Sequence, residues 1–300
     1  MTKMDTRGPK AASKWVRVLI PVLIIAVGLG VLLYPVIATQ WNNSKQSHLS
    51  REYADLNQQI PPETLRHYFE DAQAYNNELS EGKIVDPWLN NSAADDENYK
   101  KYLSVLSYQD AMARLVVPSA KVDLPIYHGS GEDSLQRGVG HLFGSDLPVG
   151  GEGTHSILTA HTGLSKATLF DNLVDVKKGD PFYISVAGEN LKYEVDDIRV
   201  VLPTETDSLH RVPGKDLVTL ITCTPYGINT HRLLVTGHRV PMDPASEDSL
   251  RNGPSFAWQW WMYAIAIAAL IIVLALMLWI RSIVKNRNKT LETDRQKELL

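Results

Sequence analysis

The chain contains one cysteine, and the residues around it have the types and spacing of a nucleophilic site. Cys223 closes the run Leu217-Val218-Thr219-Leu220-Ile221-Thr222-Cys223, and Arg232 opens the run Arg232-Leu233-Leu234-Val235-Thr236-Gly237. Both have the β-branched and aliphatic composition of strands. The linker Thr224-Pro225-Tyr226-Gly227-Ile228-Asn229 holds three turn formers, so the two strands most simply pair side by side. Side chains alternate along a strand. Leu217, Thr219, Ile221 and Cys223 therefore share a face, as do Arg232, Leu234 and Thr236. Thiol and guanidinium then meet at one rim. A permanent cation lowers the pKa of a neighbouring thiol, and the thiolate is the nucleophilic form. An arginine can also donate hydrogen bonds to the oxyanion that develops in acyl transfer. The plainer alternative is a buried structural cysteine beside a surface arginine.

Cysteine chemistry also needs an acid/base, and histidine suits neutral pH. The chain has nine histidines. His48 and His67 fall in polar segments that read as helical. His231 adjoins Arg232 and so points to the opposite strand face. His155 and His161 flank the run Ser156–Ala160. Six residues of extended strand span about 20 Å, so only one of the two can sit at a given rim. His161 ends its strand and precedes Thr162-Gly163, a loop position like that of Cys223. This spacing favours His161 and leaves His155 as the other candidate.

The elements that must hold these groups are mostly β. Short runs rich in Val, Ile, Leu and Tyr recur at 113–117, 122–127, 156–160, 181–186, 191–195, 198–202, 217–223 and 233–239, with Gly, Pro, Asn and Asp between them. Roughly eight short strands with turn signals predict a barrel or sandwich, interrupted by short helices near 133–137 and 167–173. Upstream, residues 44–77 read as helical, with Pro61-Pro62-Glu63-Thr64 as a helix start. Residues 80–97 carry Gly82, Asp86-Pro87, Asn90-Asn91 and Asp95-Asp96-Glu97, which marks a loop long enough to have a function of its own.

Net charge is −4 over 300 residues, which gives no global basic bias toward nucleic acid. The apolar residues segregate toward both ends. No charge interrupts Val18–Thr39 or Trp261–Ile280, and each is long enough to cross a bilayer as a helix. Trp258, Trp260, Trp261, Tyr263 and Trp279 edge the second run like an interfacial belt. Lys3, Arg7, Lys10, Lys14 and Arg17 precede the first run, and Arg281, Lys285, Arg287 and Lys289 follow the second. Cations stay cytoplasmic, so both ends are expected inside and the stretch between the spans outside. A cleaved signal peptide is the alternative for the first run. One cysteine excludes an internal disulfide, and a lone thiol in an exported domain is a flag for reactivity. The expected order is a basic tail (1–17), a span (18–39), a membrane-proximal helical segment (40–80), a loop with a connecting helix (81–110), a β domain (111–242), a linker (243–260), a second span (261–280) and a cytoplasmic tail (281–300).

Thr219-Leu220-Ile221-Thr222-Cys223, the spaced Arg232, Thr159-Ala160-His161-Thr162-Gly163 and Gly153-Thr154-His155-Ser156 together resemble the sortases, the cysteine transpeptidases of Gram-positive cell surfaces. The run from Cys223 to Leu233 is most similar to the pilus-assembling class C subgroup. The resemblance, over about residues 75–240, implies an eight-stranded sortase-type β-barrel. It also implies that Cys223 attacks the carbonyl after Thr in an LPxTG-like sorting signal to form a thioester. His161 then protonates the leaving amine and deprotonates the incoming one, while Arg232 stabilises the oxyanion or holds the peptide, with Thr222 as a possible auxiliary. The expected partners are a pilin or surface protein bearing that signal, the lysine amine of a pilin, and the lipid bilayer. The chemistry needs no cofactor, and no acidic cluster argues for the calcium that some housekeeping members bind. The subgroup also carries an Asp-Pro-aromatic lid, which Asp86-Pro87-Trp88 matches. Asp86 would pair with Arg232 and Trp88 would cover the thiol. The other readings are a housekeeping-type sortase joining proteins to peptidoglycan, a thiol hydrolase, and a non-enzymatic surface binding domain.

If Asp86-Pro87-Trp88 is a lid, replacing Asp86 and Trp88 together raises the rate at which a small thiol reagent modifies Cys223. An unchanged rate removes the lid from the mechanism.

Overall fold

The computed structural model describes residues 12–79, 97–254 and 258–298. It divides into two compact units, one of residues 1–38 with 258–300 and one of residues 39–257. The first unit holds the apolar part of α1 (Ala12–Asn57) and α6 (Trp260–Glu298). Both are long and apolar enough to cross a membrane.

In the second unit, eight strands among the described residues close into a barrel in the order β1-β2-β3-β4-β7-β8-β6-β5. They are β1 (Ala113–Val117), β2 (Val122–His128), β3 (Val139–His141), β4 (Thr154–Thr159), β5 (Pro181–Val186), β6 (Glu189–Val201), β7 (Asp216–Thr224) and β8 (His231–Val240). Six neighbouring pairs are antiparallel, while β2–β3 and β4–β7 run parallel. A parallel pair needs a crossover. For β2–β3 this is the short helix α4 (Glu132–Arg137); for β4–β7 it is the whole β5–β6 excursion. Leu115, Ile126, Leu158, Phe182, Ile184 and Leu220 fill the interior and are fully buried. Each such side chain contributes roughly 1.5–3 kcal/mol by leaving water.

The strand count was expected, but its composition differs in two places. The runs at 191–195 and 198–202 form one strand, β6, with a bulge between Val195 and Asp197. Asp196-Asp197 looks like a turn in the sequence. The bulge instead lets both carboxylates face out, where Asp196 lies 3.5 Å from His238 and Asp197 meets Lys178 and Arg199. The eighth strand is β3, whose three residues Val139-Gly140-His141 are too few to show a period. The helix read at 167–173 is a 3-10 turn at Asp171–Asp175, and the linker contains a further helix, α5 (Pro244–Asn252), capped by Asp243.

The polar helical segment does not stand apart from the barrel. From Thr39 onward α1 lies along it. Asn43 exchanges two hydrogen bonds with Thr168, at 2.8 and 3.0 Å. Tyr53 donates its hydroxyl to the Met112 carbonyl at 2.9 Å and accepts from the Ala187 amide at 3.1 Å. The helix α2 (Pro62–Glu78) begins with Pro62 at its first turn and is tied through Asn76, which bonds both the amide and the carbonyl of Leu147. The helix α3 (Glu97–Ser104) inserts Tyr102, whose hydroxyl meets His141 Nδ1 at 2.9 Å.

Asp123 joins several of these elements. Arg114 on β1 grips it with two bonds of 2.9 and 3.0 Å, and both side chains are buried. Ser50 of α1 adds a 2.5 Å bond, and Arg51 approaches to 3.4 Å. The turn after α5 closes on the same carboxylate. A Cβ on Gly253 would lie 2.5 Å from Asp123 Oδ2, at a φ of +61°.

Removing one partner of a buried charge pair costs about 3–5 kcal/mol. Arg114→Ala is therefore expected to destabilise the protein by about 3 kcal/mol in denaturant unfolding. The double variant Arg114→Met with Asp123→Leu recovers most of that loss, because neither charge is then stranded. A loss below about 1 kcal/mol for Arg114→Ala shows that Ser50 and Arg51 alone suffice for Asp123.

Candidate active site

The β7–β8 hairpin places Cys223 and Arg232 directly opposite each other, one pair before its end at Thr224↔His231. The alternate residues Val218, Leu220, Leu233 and Val235 belong to the barrel interior. Cys223 and Arg232 therefore face outward, on the side of Ile221 and Leu234. That outer face is not bare. Leu142, Ile157, Leu209, Ile221 and Leu234 form a separate buried cluster there, with Val201 against it. Leu209 comes from the β6–β7 connection, which folds over this part of the wall. Cys223 thus sits at the end of an apolar floor and is only 9% exposed. The Arg232 guanidinium donates through Nη1 to the carbonyls of Asn229 and His231, both at 3.3 Å.

On the other side of β7 lies β4. Its parallel ladder runs from Thr154↔Asp216 to Thr159↔Ile221 at a constant offset of 62 residues. The same offset, carried two residues past the ladder, sets His161 level with Cys223. The strands are still joined there. The Ala160 amide donates to the Ile221 carbonyl at 3.2 Å, and Thr222 Oγ1 donates to the Ala160 carbonyl at 2.8 Å. Side chains two apart share a face, so His161 follows His155, Ile157 and Thr159 on the outer side. His161, Cys223 and Arg232 thereby line up across three neighbouring strands.

The turn after His161 is pinned from three directions. Phe170 donates its amide to the His161 carbonyl at 3.1 Å. Asp171 Oδ1 accepts from Thr162 Oγ1 at 2.9 Å and from the Gly163 amide at 2.8 Å. Gly163 adopts φ +78°, and a Cβ there would come within 3.3 Å of the Gly227 amide nitrogen. The His161 turn and the turn between β7 and β8 are therefore in close approach. Burial pushes the Asp171 carboxyl up to about 6, against the two bonds that favour its charged form. Glu132, at the start of α4, brings Oε2 to 3.5 Å from His161 Nε2.

The other histidines are occupied elsewhere. His155 is 2% exposed. Its Nδ1 meets the His210 carbonyl at 2.9 Å and its Nε2 meets Thr219 Oγ1 at 2.7 Å. Burial pushes its pKa down, so it is a neutral part of the wall. His141 is likewise buried between Tyr102 and the Asp146 carbonyl, and desolvation pushes it down to about 4. His48 and His67 are exposed beside Glu52 and Asp71, one helical turn on. His231 Nδ1 lies 2.9 Å from Thr230 Oγ1.

Thr222 does not fit the auxiliary role expected of it. It alternates with Cys223 and so faces away from the thiol, and its hydroxyl proton is committed to the Ala160 carbonyl. Its contribution is to fasten β4 to β7. Asp86 and Trp88 lie outside the described residues. Glu132 and Asp171 were not singled out in the sequence. Asp171 lies ten residues after His161, and Glu132 reaches it only through the β2–β3–β4 order of the barrel.

A family model described as the sortase domain matches residues 115–240. Sortase C-1 of Actinomyces oris is 60% identical, over 60% of this chain and 99% of that structure, with a TM-score of 0.59. Sortase C of Streptococcus pneumoniae, in a structure described for its pilin substrate specificity, is 38% identical over 65% of this chain and 97% of its own, with a TM-score of 0.60. Sortase A of Bacillus anthracis is 30% identical over 135 residues, which are 45% of this chain and 62% of that protein. The chain thus spans less than two thirds of the curated relatives it matches.

The position of Asp171 makes stability depend on pH with a definite sign. Its folded pKa lies above the usual carboxyl value of 3.8. Its stabilising contribution is then complete below about pH 4 and is lost as pH rises through about 6. The difference between 3.8 and about 6 corresponds to roughly 3 kcal/mol. Asp171→Asn keeps an acceptor oxygen for Thr162 and Gly163 but cannot ionise. Relative to wild type it is expected to gain up to roughly 3 kcal/mol between about pH 4 and 7. Parallel stability curves for the two proteins, measured by denaturant unfolding across this range, refute the assignment.

Proposed function

This chain belongs to the sortase family of cysteine transpeptidases, and we propose that it cleaves an LPxTG-like sorting signal and transfers the acyl group to a pilin lysine. Cys223 is the nucleophile. Its thiolate attacks the carbonyl carbon after Thr, and Arg232 donates to the oxyanion of the tetrahedral adduct. His161, as imidazolium, gives its proton to the departing amine, leaving the thioester on Cys223 and a neutral imidazole. That imidazole takes a proton from the incoming amine as it attacks. The second adduct then collapses to an amide and releases the Cys223 thiolate beside the imidazolium. When the amine is a lysine side chain of another pilin, the product is an isopeptide-linked polymer.

The observation that carries this reading is the placement of His161 just past the end of β4 beside Cys223 on β7 and Arg232 on β8, next to an apolar floor that keeps water from one side of the thiol. The likeness to sortase C-1 of A. oris and sortase C of S. pneumoniae favours the pilin-joining form of the reaction over attachment to peptidoglycan. The two apolar helices fit an anchor at each end of the catalytic unit. With the flanking cations inside, the catalytic unit works on the outer face of the plasma membrane.

Mixed with a pilin that carries an LPxTG-like signal, the wild type is expected to give a ladder of covalent species, and Cys223→Ala none. A ladder from the Ala variant refutes the nucleophile assignment. Single wall-linked products without polymers replace the pilin reading with a housekeeping one. Arg232→Ala is expected to slow thioester formation by about 10²-fold or more, the range for loss of an oxyanion donor. A change of less than about tenfold would remove Arg232 from oxyanion stabilisation.

A further inference from the structure

Transfer needs a second substrate, and the proposed reaction gives that substrate a definite charge. A lysine side chain arrives at neutral pH as an ammonium. It must stop within reach of His161 and of the thioester on Cys223, which calls for an anion beside the imidazole.

Glu132 occupies that place. Its Oε2 lies 3.5 Å from His161 Nε2, longer than a well-formed N–H···O bond. Its other oxygen, Oε1, accepts from Gln136 Nε2 at 2.7 Å, one helical turn on, so the carboxylate is held toward the imidazole. The hydrogen bond from Gln136, with smaller contributions from the charges of His161 and Lys166, holds its carboxyl below the usual carboxylate range. It is ionised at neutral pH. The side chain is 67% exposed while that of His161 is 17% exposed. Solvent thus reaches Glu132 first and the imidazole second. The positive charge of Lys166 adds to the lowering of the Glu132 pKa. A primary ammonium is therefore a cation that the surroundings of this carboxylate accommodate.

We infer that Glu132 is the docking anion for the acceptor amine, binding the substrate's primary ammonium at the edge of the His161–Cys223 pair. This rests on the transpeptidase reading and adds to it the residue that recognises the second substrate. The docked ammonium gives one proton to water. The neutral amine then attacks the thioester carbonyl, and its second proton passes to His161 as the C–N bond forms. On collapse of the adduct the C–S bond breaks, and the sulfur leaves as thiolate beside the imidazolium. Glu132 changes no covalent bond in this scheme. It selects which amines arrive.

The test sets two nucleophiles in competition for one thioester. The full-length protein in detergent is acylated with an LPxTG-like peptide in the presence of both a lysine-containing peptide, a cation, and hydroxylamine, which is uncharged at neutral pH. The product ratio is independent of how fast the thioester forms. Glu132→Gln is expected to lower the ratio of lysine product to hydroxamate by about threefold to fivefold, the scale of an exposed ion pair. Glu132→Lys lowers it further, and added salt shrinks the difference between wild type and Glu132→Gln. An unchanged ratio overturns the inference. So does an equal loss with both nucleophiles, since Glu132 would then act through the orientation of His161. If the wild type forms no thioester with the peptide, the transpeptidase reading itself fails and this inference with it.

Discussion

The parallel pairing of β4 with β7 is the constraint on which the rest of the site depends. It joins residues 62 apart in the chain, and no local preference can supply that. Antiparallel neighbours such as β7 and β8 find each other through a short turn. A parallel pair needs a crossover, and here that crossover is the whole β5–β6 excursion. Once formed, the ladder fixes the sequence offset, and with it the face and height of every side chain. A slip of one residue would turn His161 toward the interior, away from the face that carries Cys223. The bonds that carry the ladder past its last pair, Ala160 to Ile221 and Thr222 to Ala160, hold that register where it matters.

Around this ladder the fold buries two histidines and gives each of them hydrogen-bond partners. His155 spans from the His210 carbonyl to Thr219 on β7, and Thr219 in turn meets Thr236 on β8. Three strands are thus tied side by side beneath the reactive rim. His141 performs the same service between α3 and the Asp146 carbonyl. Burial keeps both imidazoles neutral, which suits them to hold position and unsuits them to exchange protons near pH 7.

The outer elements form a second layer with its own logic. The polar half of α1, the β1–β2 pair and the turn after α5 meet at Asp123, where Arg114 and Ser50 complete the hydrogen bonding. A buried carboxylate tolerates few alternative partners, so this contact fixes where the helices lie on the barrel. At the opposite end of the argument, Asp171 and Gly163 fix the turn after His161 against the turn after Cys223. Two loops far apart in sequence are thereby set as one rim. A carboxylate on Glu132, just outside that rim, is positioned to meet an incoming cation.

The sequence by itself determined the strand-forming segments, the hairpin that pairs Cys223 with Arg232, and the two apolar helices. These follow from short-range alternation, turn chemistry and length, which are local properties. It also marked His161 as a candidate, because strand ends and loops have recognisable compositions. It did not decide between His155 and His161 by spacing alone, and it suggested a turn at Asp196-Asp197 where there is a bulge within one strand. It placed Thr222 near the oxyanion, although alternation along β7 turns it away. The three-residue β3, the burial of His155, and the roles of Asp171 and Glu132 were decided only by the tertiary structure. Each depends on which strands become neighbours in the closed barrel and at what offset. That offset is set by packing and hydrogen bonding summed over the whole wall, so no single segment of the chain encodes it.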